Sequence, residues 1–446
     1  MQIKCALLAL FILTSTHALA WGNHTAPSYR ALENMPEVAN APPVKVESLE
    51  AFLKAEEKAI ESLMATQEIW ARANVDSYAA RPAALDYKAN ANYTDIARRL
   101  AFFKALRIAQ DSRFALYIHP DARAGEITTP LLPYATVHTL PEPPVVSERF
   151  IAINPGDMVS VLQIVASASS EPDYGLDINL FEDNPGEWGK TYGFGTLSFG
   201  NPAYTYSSQA PFHMGFFHES SLIYKAGPFL KRTFPLLRAH QYSTLAVLAF
   251  KTGHTYWGWR FTGLALHYVQ DLTQPYHARL SPGESTPRVI SANILAMIGL
   301  PSMKQNIIVL LGNRHMALEQ YQSQIVRSAA KAKTDTPAVL ALRNNSKDAN
   351  YPPWSDAYIK DVLTTQSATY ADRVAGILIA TLPAEFVNDP TKTFGSNGDV
   401  DIVGAISKVD TAQRAELDNA IAEMLGNFGA HSRNMIRGIQ KLVKTP

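Results

Sequence analysis

Six stretches of this chain, residues 46–77, 95–114, 243–277, 305–333, 355–382 and 411–443, place apolar side chains three and four positions apart over many turns. On an α-helix that spacing builds one apolar stripe, whereas on a strand it would scatter over both faces. Alanine, leucine, glutamate, lysine and arginine fill the other positions, and all of them favour helical backbone. The pattern predicts an all-α protein with many helices. Between about residues 115 and 220 proline, glycine, tyrosine and threonine become frequent, as in Pro141-Glu142-Pro143-Pro144 and Gly193-Phe194-Gly195-Thr196. This part reads as irregular, with short strands. Nothing has the composition of a flexible tether, so residues 21–446 are expected to form one domain carrying a long irregular insertion.

Residues 1–20 stand apart from that domain. Lys4 opens a short positive region, an apolar run from Cys5 to Thr14 follows, and Ala18-Leu19-Ala20 has the small-x-small pattern that signal peptidase reads. The run is shorter than the roughly 18–20 residues a bilayer span needs. A cleaved export signal is therefore expected, giving a secreted or periplasmic protein whose mature chain starts at Trp21. The only cysteine, Cys5, leaves with the signal, so packing without disulfides must hold the fold. The most apolar later stretch, residues 291–311, is interrupted by Pro301 and Lys304, and reads as buried core helix rather than as a membrane span. Basic and acidic residues number 40 each, so no global charge draws the chain to nucleic acid or anionic lipid.

Chemistry concentrates in His267-Tyr-Val-Gln-Asp271-Leu-Thr-Gln-Pro-Tyr-His277. His267 and Asp271 are four apart, which stacks them on one helical face about 5–6 Å apart at the β-carbons, close enough to share a metal ion. Pro275 ends or bends the helix, so His277 can turn back toward the same cavity. His315 and Glu319 repeat the four-residue spacing on another predicted helix. Imidazole and carboxylate without thiolate suit zinc. Each pair by itself is equally a structural ion pair on a helix.

The complete segment HYVQDLTQPYHA, residues 267–278, resembles the His-x3-Asp-x5-His signature of the zinc-dependent phospholipases C, including the Gln-Pro before its last histidine. That family shares its fold with the zinc-dependent single-strand nucleases of fungi and plants. A mature amino terminus beginning with tryptophan is a second point of likeness, because there the first residue's α-amine and carbonyl bind zinc. The resemblance implies three zinc ions per chain. Trp21 and His24 would hold one, and His267 would hold another with an aspartate and a histidine from upstream. Asp271 would bridge those two, and His277, His315 and Glu319 would hold the third. For the upstream aspartate Asp173 matches first, with Asp177 behind it. For the upstream histidine His218, in Phe216-Phe217-His218-Glu219, matches first, with His213 as the alternative. Asp173 would also position or deprotonate the attacking water, and Tyr174 would line a headgroup pocket.

Implied activity follows from the same likeness. It is hydrolysis of glycerophospholipid phosphodiesters to diacylglycerol and a phosphorylated headgroup, with peripheral membrane contact and no obligate protein partner. Glu319 resembles the phospholipase branch, where the last ligand is glutamate, and the nucleases usually carry aspartate there. The fourth mature position holds His24, where a glutamate would mark choline preference. A nuclease acting on single-stranded DNA or RNA and a secreted lipid-binding protein with a structural metal cluster are the alternatives. His119, His138, His240, His254 and His431 fit no ligand pattern, and Tyr256-Trp257-Gly258-Trp259 reads as core.

Overall fold

The computed structural model describes residues 23–445 except 126, 144–147, 201–204 and 396–399. Trp21 and the predicted signal, residues 1–20, lie outside the described residues. Eight helices frame the fold: α1 (Thr25–Leu32), α2 (Val161–Ala168), α3 (Pro235–Lys251), α4 (Thr255–Asp271), α5 (Thr286–Met297), α6 (Ser302–Ala332), α7 (Thr364–Thr381) and α8 (Thr411–Lys444). Further helices, the longest of them Glu57–Asn74 and Asp95–Leu106, complete the fold. Four two-residue strands pair antiparallel, β1 (Val44–Lys45) with β4 (Met158–Val159) and β2 (Tyr117–Ile118) with β3 (Ile151–Ala152). The fold is all-α, as the periodicity predicts. No helix among the described residues is long and apolar enough to cross a membrane.

At the centre lies α4, where every residue from Tyr256 to Asp271 is buried. It packs on α2, α3 and α8 and is covered on every side. Trp257 and Phe261 are fully enclosed, and burying side chains of this size contributes roughly 1.5–3 kcal/mol each. The contact with α2 depends on Gly263, where a β-carbon would sit 2.5 Å from the Ala168 β-carbon and 2.7 Å from the Val165 carbonyl oxygen. That close approach brings the end of α2 under His267. Ser160 caps α2 by accepting a hydrogen bond from the Gln163 amide, which fixes where the helix begins.

Two expectations about the helices change. The predicted helix 243–277 is three pieces, because Gly253, at φ +89°, turns the chain between α3 and α4 and Pro275 starts a separate one-turn helix, Pro275–Ala278. The apolar stretch 291–311 is helical but is not all core. Ile294, Met297, Ile298 and Leu300 expose 55–68% of their surface at the turn joining α5 to α6.

Several buried histidines are structural. In α8, His431 accepts from the Tyr358 hydroxyl at 2.9 Å through Nδ1 and donates to Gln366 Oε1 at 2.8 Å. Burial, which disfavours the charged ring, lowers its pKa to about 3. Below pH 6.5 the unfolded chain takes up a proton that the folded ring refuses, so this stabilisation is complete above about pH 6.5 and is lost as pH falls toward 3. At pH 5 the loss is about 2 kcal/mol. Denaturant titrations at pH 7 and pH 5 should show a pH dependence smaller by about that amount in His431→Gln than in the wild type. Equal pH dependence in the two proteins would contradict the assignment.

Candidate metal centre

Five separate pieces of chain converge beside the C-terminal end of α4. His24 sits just before α1, Asp173 in the short helix Glu171–Tyr174, and His213 at the end of the one-turn helix Ala210–His213. His267 and Asp271 come from α4, with His277 on the one-turn helix that follows. His315 and Glu319 project from the middle of α6. All eight are at most 4% exposed. Their ligand atoms form three groups, each spanning less than 4.8 Å: His24 with His267 and Asp271, Asp173 with His213 and His267, and His277 with His315 and Glu319.

Hydrogen bonding at the far side of each ring fixes what faces inward. The His24 Nδ1–H donates to Gln270 Oε1 at 2.9 Å, and Gln270 is oriented by donating through Nε2 to Ser28 and Ser432. The His267 Nδ1–H donates to the Ser169 carbonyl at 2.8 Å, and the His277 Nδ1–H to the His213 carbonyl at 2.9 Å. A carbonyl oxygen only accepts, so in the neutral rings Nε2 carries a lone pair. These lone pairs meet other acceptors. His24 Nε2 is 3.3 Å from Asp271 Oδ1, and His267 Nε2 is 3.2 Å from Asp271 Oδ2 and 3.7 Å from Asp173 Oδ1. His277 Nε2 is 3.0 Å from His315 Nε2 and 3.4 Å from Glu319 Oε1.

Acceptor facing acceptor in a buried space is repulsive unless protons or cations lie between. Three carboxylates, Asp173, Asp271 and Glu319, are buried in this space. His24 Nε2, Asp271 Oδ1 and Glu319 Oε2 have no hydrogen-bond partner among the described residues. Buried polar atoms are rarely left so. The residues present therefore fit metal ions, and they form buried groups able to hold them. Asp271 directs one oxygen at His24 and the other at His213, 2.8 Å away, and at His267, so a single carboxylate serves two groups.

Protonation in the bare protein answers the same crowding. Burial raises Asp173 to about 8. Burial pulls the His213 ring down, but the Asp177 and Asp271 carboxylates outweigh it and hold that ring at about 10. His267 falls to about 3 through burial. Burial alone would raise Glu319, yet His315 and His277 bring it to about 2. Protons on Asp173 and His213 thus stand where cations would, and metal binding should release them.

Outer partners brace this arrangement. Asp177 lies 3.6 Å from His213 Nε2, accepts from the Tyr268 hydroxyl at 2.7 Å, and pairs with the fully buried Arg238 at 2.7 Å. On the other flank of Asp173, two residues before it, Glu171 pairs with Arg260 at 2.7 Å. The Asp173 segment is therefore clamped on both sides by arginines from α3 and α4.

Most of the sequence-predicted ligands are brought together here, with two corrections. His218 is elsewhere: its Nε2–H donates to the Lys360 carbonyl at 2.9 Å, and His213, the alternative, occupies the cluster. The Gly215 amide donates to the His277 carbonyl at 2.8 Å, and three residues later the His218 ring reaches Lys360 and Thr364 instead of the cluster. Tyr174 does not line an open pocket. It is buried among Tyr117, His138 and Phe150, and its hydroxyl donates to His119 Nε2 at 2.6 Å. Asp177 proves to be a brace for His213 rather than a member of a ligand group. No protein-family model, curated protein or solved structure matches the chain.

Proposed function

We propose that this protein is an exported zinc-dependent phosphodiester hydrolase of the phospholipase C kind, with three zinc ions per chain. The observation that carries the reading is the set of three buried His/carboxylate groups, two of them sharing His267 and both reached by Asp271, with lone pairs directed at one another. Thiol-free imidazole and carboxylate sites favour zinc among the common divalent ions. When bound, such ions supply positive charge and Lewis acidity toward a phosphodiester and the water that attacks it. The chain's own part is to hold ligands in fixed tautomers, exclude bulk water, and offer Asp173 as the carboxylate that orients the water and takes its proton. Attack of water at phosphorus would break the bond to the glycerol oxygen, releasing diacylglycerol and a phosphorylated headgroup.

Lipid is favoured over nucleic acid by the balanced charge and by an apolar surface at the α5–α6 turn. One purified preparation should hydrolyse phosphatidylcholine micelles, lose that activity to a chelator, and contain about three zinc ions by elemental analysis. Hydrolysis of single-stranded DNA alone would replace the lipid reading with the nuclease. Bound zinc without turnover on either substrate would leave a binding protein. The Trp21 amine is tested separately: one extra residue placed before Trp21 should remove activity and one zinc ion, whereas a carboxy-terminal tag should change neither.

A further inference from the structure

The turn between α5 and α6 is unlike the rest of the surface. Among the described residues eleven large apolar side chains are strongly exposed, and four of them, Ile294, Met297, Ile298 and Leu300, fall within this one turn. Residues 289–303 contain no charged side chain. Gly299, at φ +89°, has nothing within 4 Å of where its β-carbon would be, so the tip stands clear of the body. A solvent-facing turn normally carries polar residues, and exposed apolar clusters mark interaction sites.

Behind the tip, α5 and α6 pack along a small apolar seam lined by Leu280, Val289, Ala292, Ile307 and Leu311. Two of its lining residues are close in sequence to members of the metal centre. Leu280 is three residues beyond His277, and Leu311 is one helical turn before His315 on α6. From Ser302 to His315 the helix rises roughly 20 Å, comparable with the ~15 Å of acyl chain in one leaflet.

We propose that the α5–α6 hairpin docks this protein on the surface of aggregated phospholipid, its tip entering among the acyl chains. This rests on the phospholipase reading and names how its substrate is approached. The occupant is lipid because the tip is convex and uncharged, matching a hydrocarbon layer. Four side chains offer a few hundred Å², whereas a stable protein interface needs about 800 Å² from each partner.

Sedimentation with phosphatidylcholine vesicles tests the docking, and hydrolysis of soluble bis(p-nitrophenyl) phosphate reads the metal centre separately. Met297→Asp/Ile298→Asp alters only side chains that are 68% exposed, so its unfolding midpoint should match the wild type. Vesicle binding should fall at least tenfold, since burying each apolar side chain is worth a factor of about ten or more, while soluble diester hydrolysis is unchanged. Equal binding by variant and wild type would overturn the proposal, as would a wild type that ignores vesicles. A concentration-dependent dimer that the variant abolishes, without vesicle binding, would assign the tip to a second copy and also overturn it. Tip-dependent binding with no hydrolysis of any phosphodiester would uphold the docking and remove the phospholipase reading.

Discussion

Asp271→Asn should reduce phosphodiester hydrolysis by at least about a thousandfold and lower the metal content by more than one ion per chain. Both consequences come from one geometry. Oδ1 of Asp271 faces His24 and Oδ2 faces His213 and His267, so the amide removes a negative charge shared by two groups and turns an NH₂ toward a ring nitrogen. His267→Ala should do the same, because His267 belongs to both groups. His218→Ala is the control. Its ring bonds the Lys360 carbonyl outside the cluster, so metal content and rate should stay as in the wild type. Elemental analysis beside single-turnover kinetics makes the comparison, and full metal content in Asp271→Asn would remove the bridging role.

What the sequence discloses follows from how locally each feature is encoded. His267 with Asp271 and His315 with Glu319 are legible because a helix converts a four-residue interval into adjacency. Asp173 and His213 lie in the irregular insertion, where no period carries geometry, so their neighbours in space come only from the fold. One signal does exist. Pro211-Phe212-His213 has the same proline, aromatic, histidine order as Pro275-Tyr276-His277, and both lie in a one-turn helix whose histidine enters the cluster. The two turns are bonded to each other, His277 Nδ1 to the His213 carbonyl and the Gly215 amide to the His277 carbonyl. The apolar stretch at residues 291–303 shows the opposite limit. Hydropathy registers that its side chains avoid water, but core and lipid surface satisfy that preference equally.

The buried arginine of α3 should carry the largest effect on stability. Arg238 is fully buried, donating to both Asp177 and the Leu106 and Arg107 carbonyls. Arg238→Met takes the guanidinium from the buried Asp177 carboxylate and leaves it only the Tyr268 hydroxyl and the His213 ring, and breaking such a pair from one side costs about 3–5 kcal/mol. Thermal unfolding should show the loss. Arg238→Met/Asp177→Leu exchanges the whole pair for apolar groups of related size, a change that recovers much of the stability in comparable pairs. It should not recover function to the same degree. With Asp177 gone, His213 loses the carboxylate 3.6 Å from Nε2 that orients the ring, and removing such an outer partner typically weakens metal binding 10–100-fold. A metal titration of the double variant therefore separates two roles that the single variant merges. Wild-type metal affinity there would reduce Asp177 to a partner of Arg238 alone; weak affinity in a restored fold would make it the positioning residue for His213.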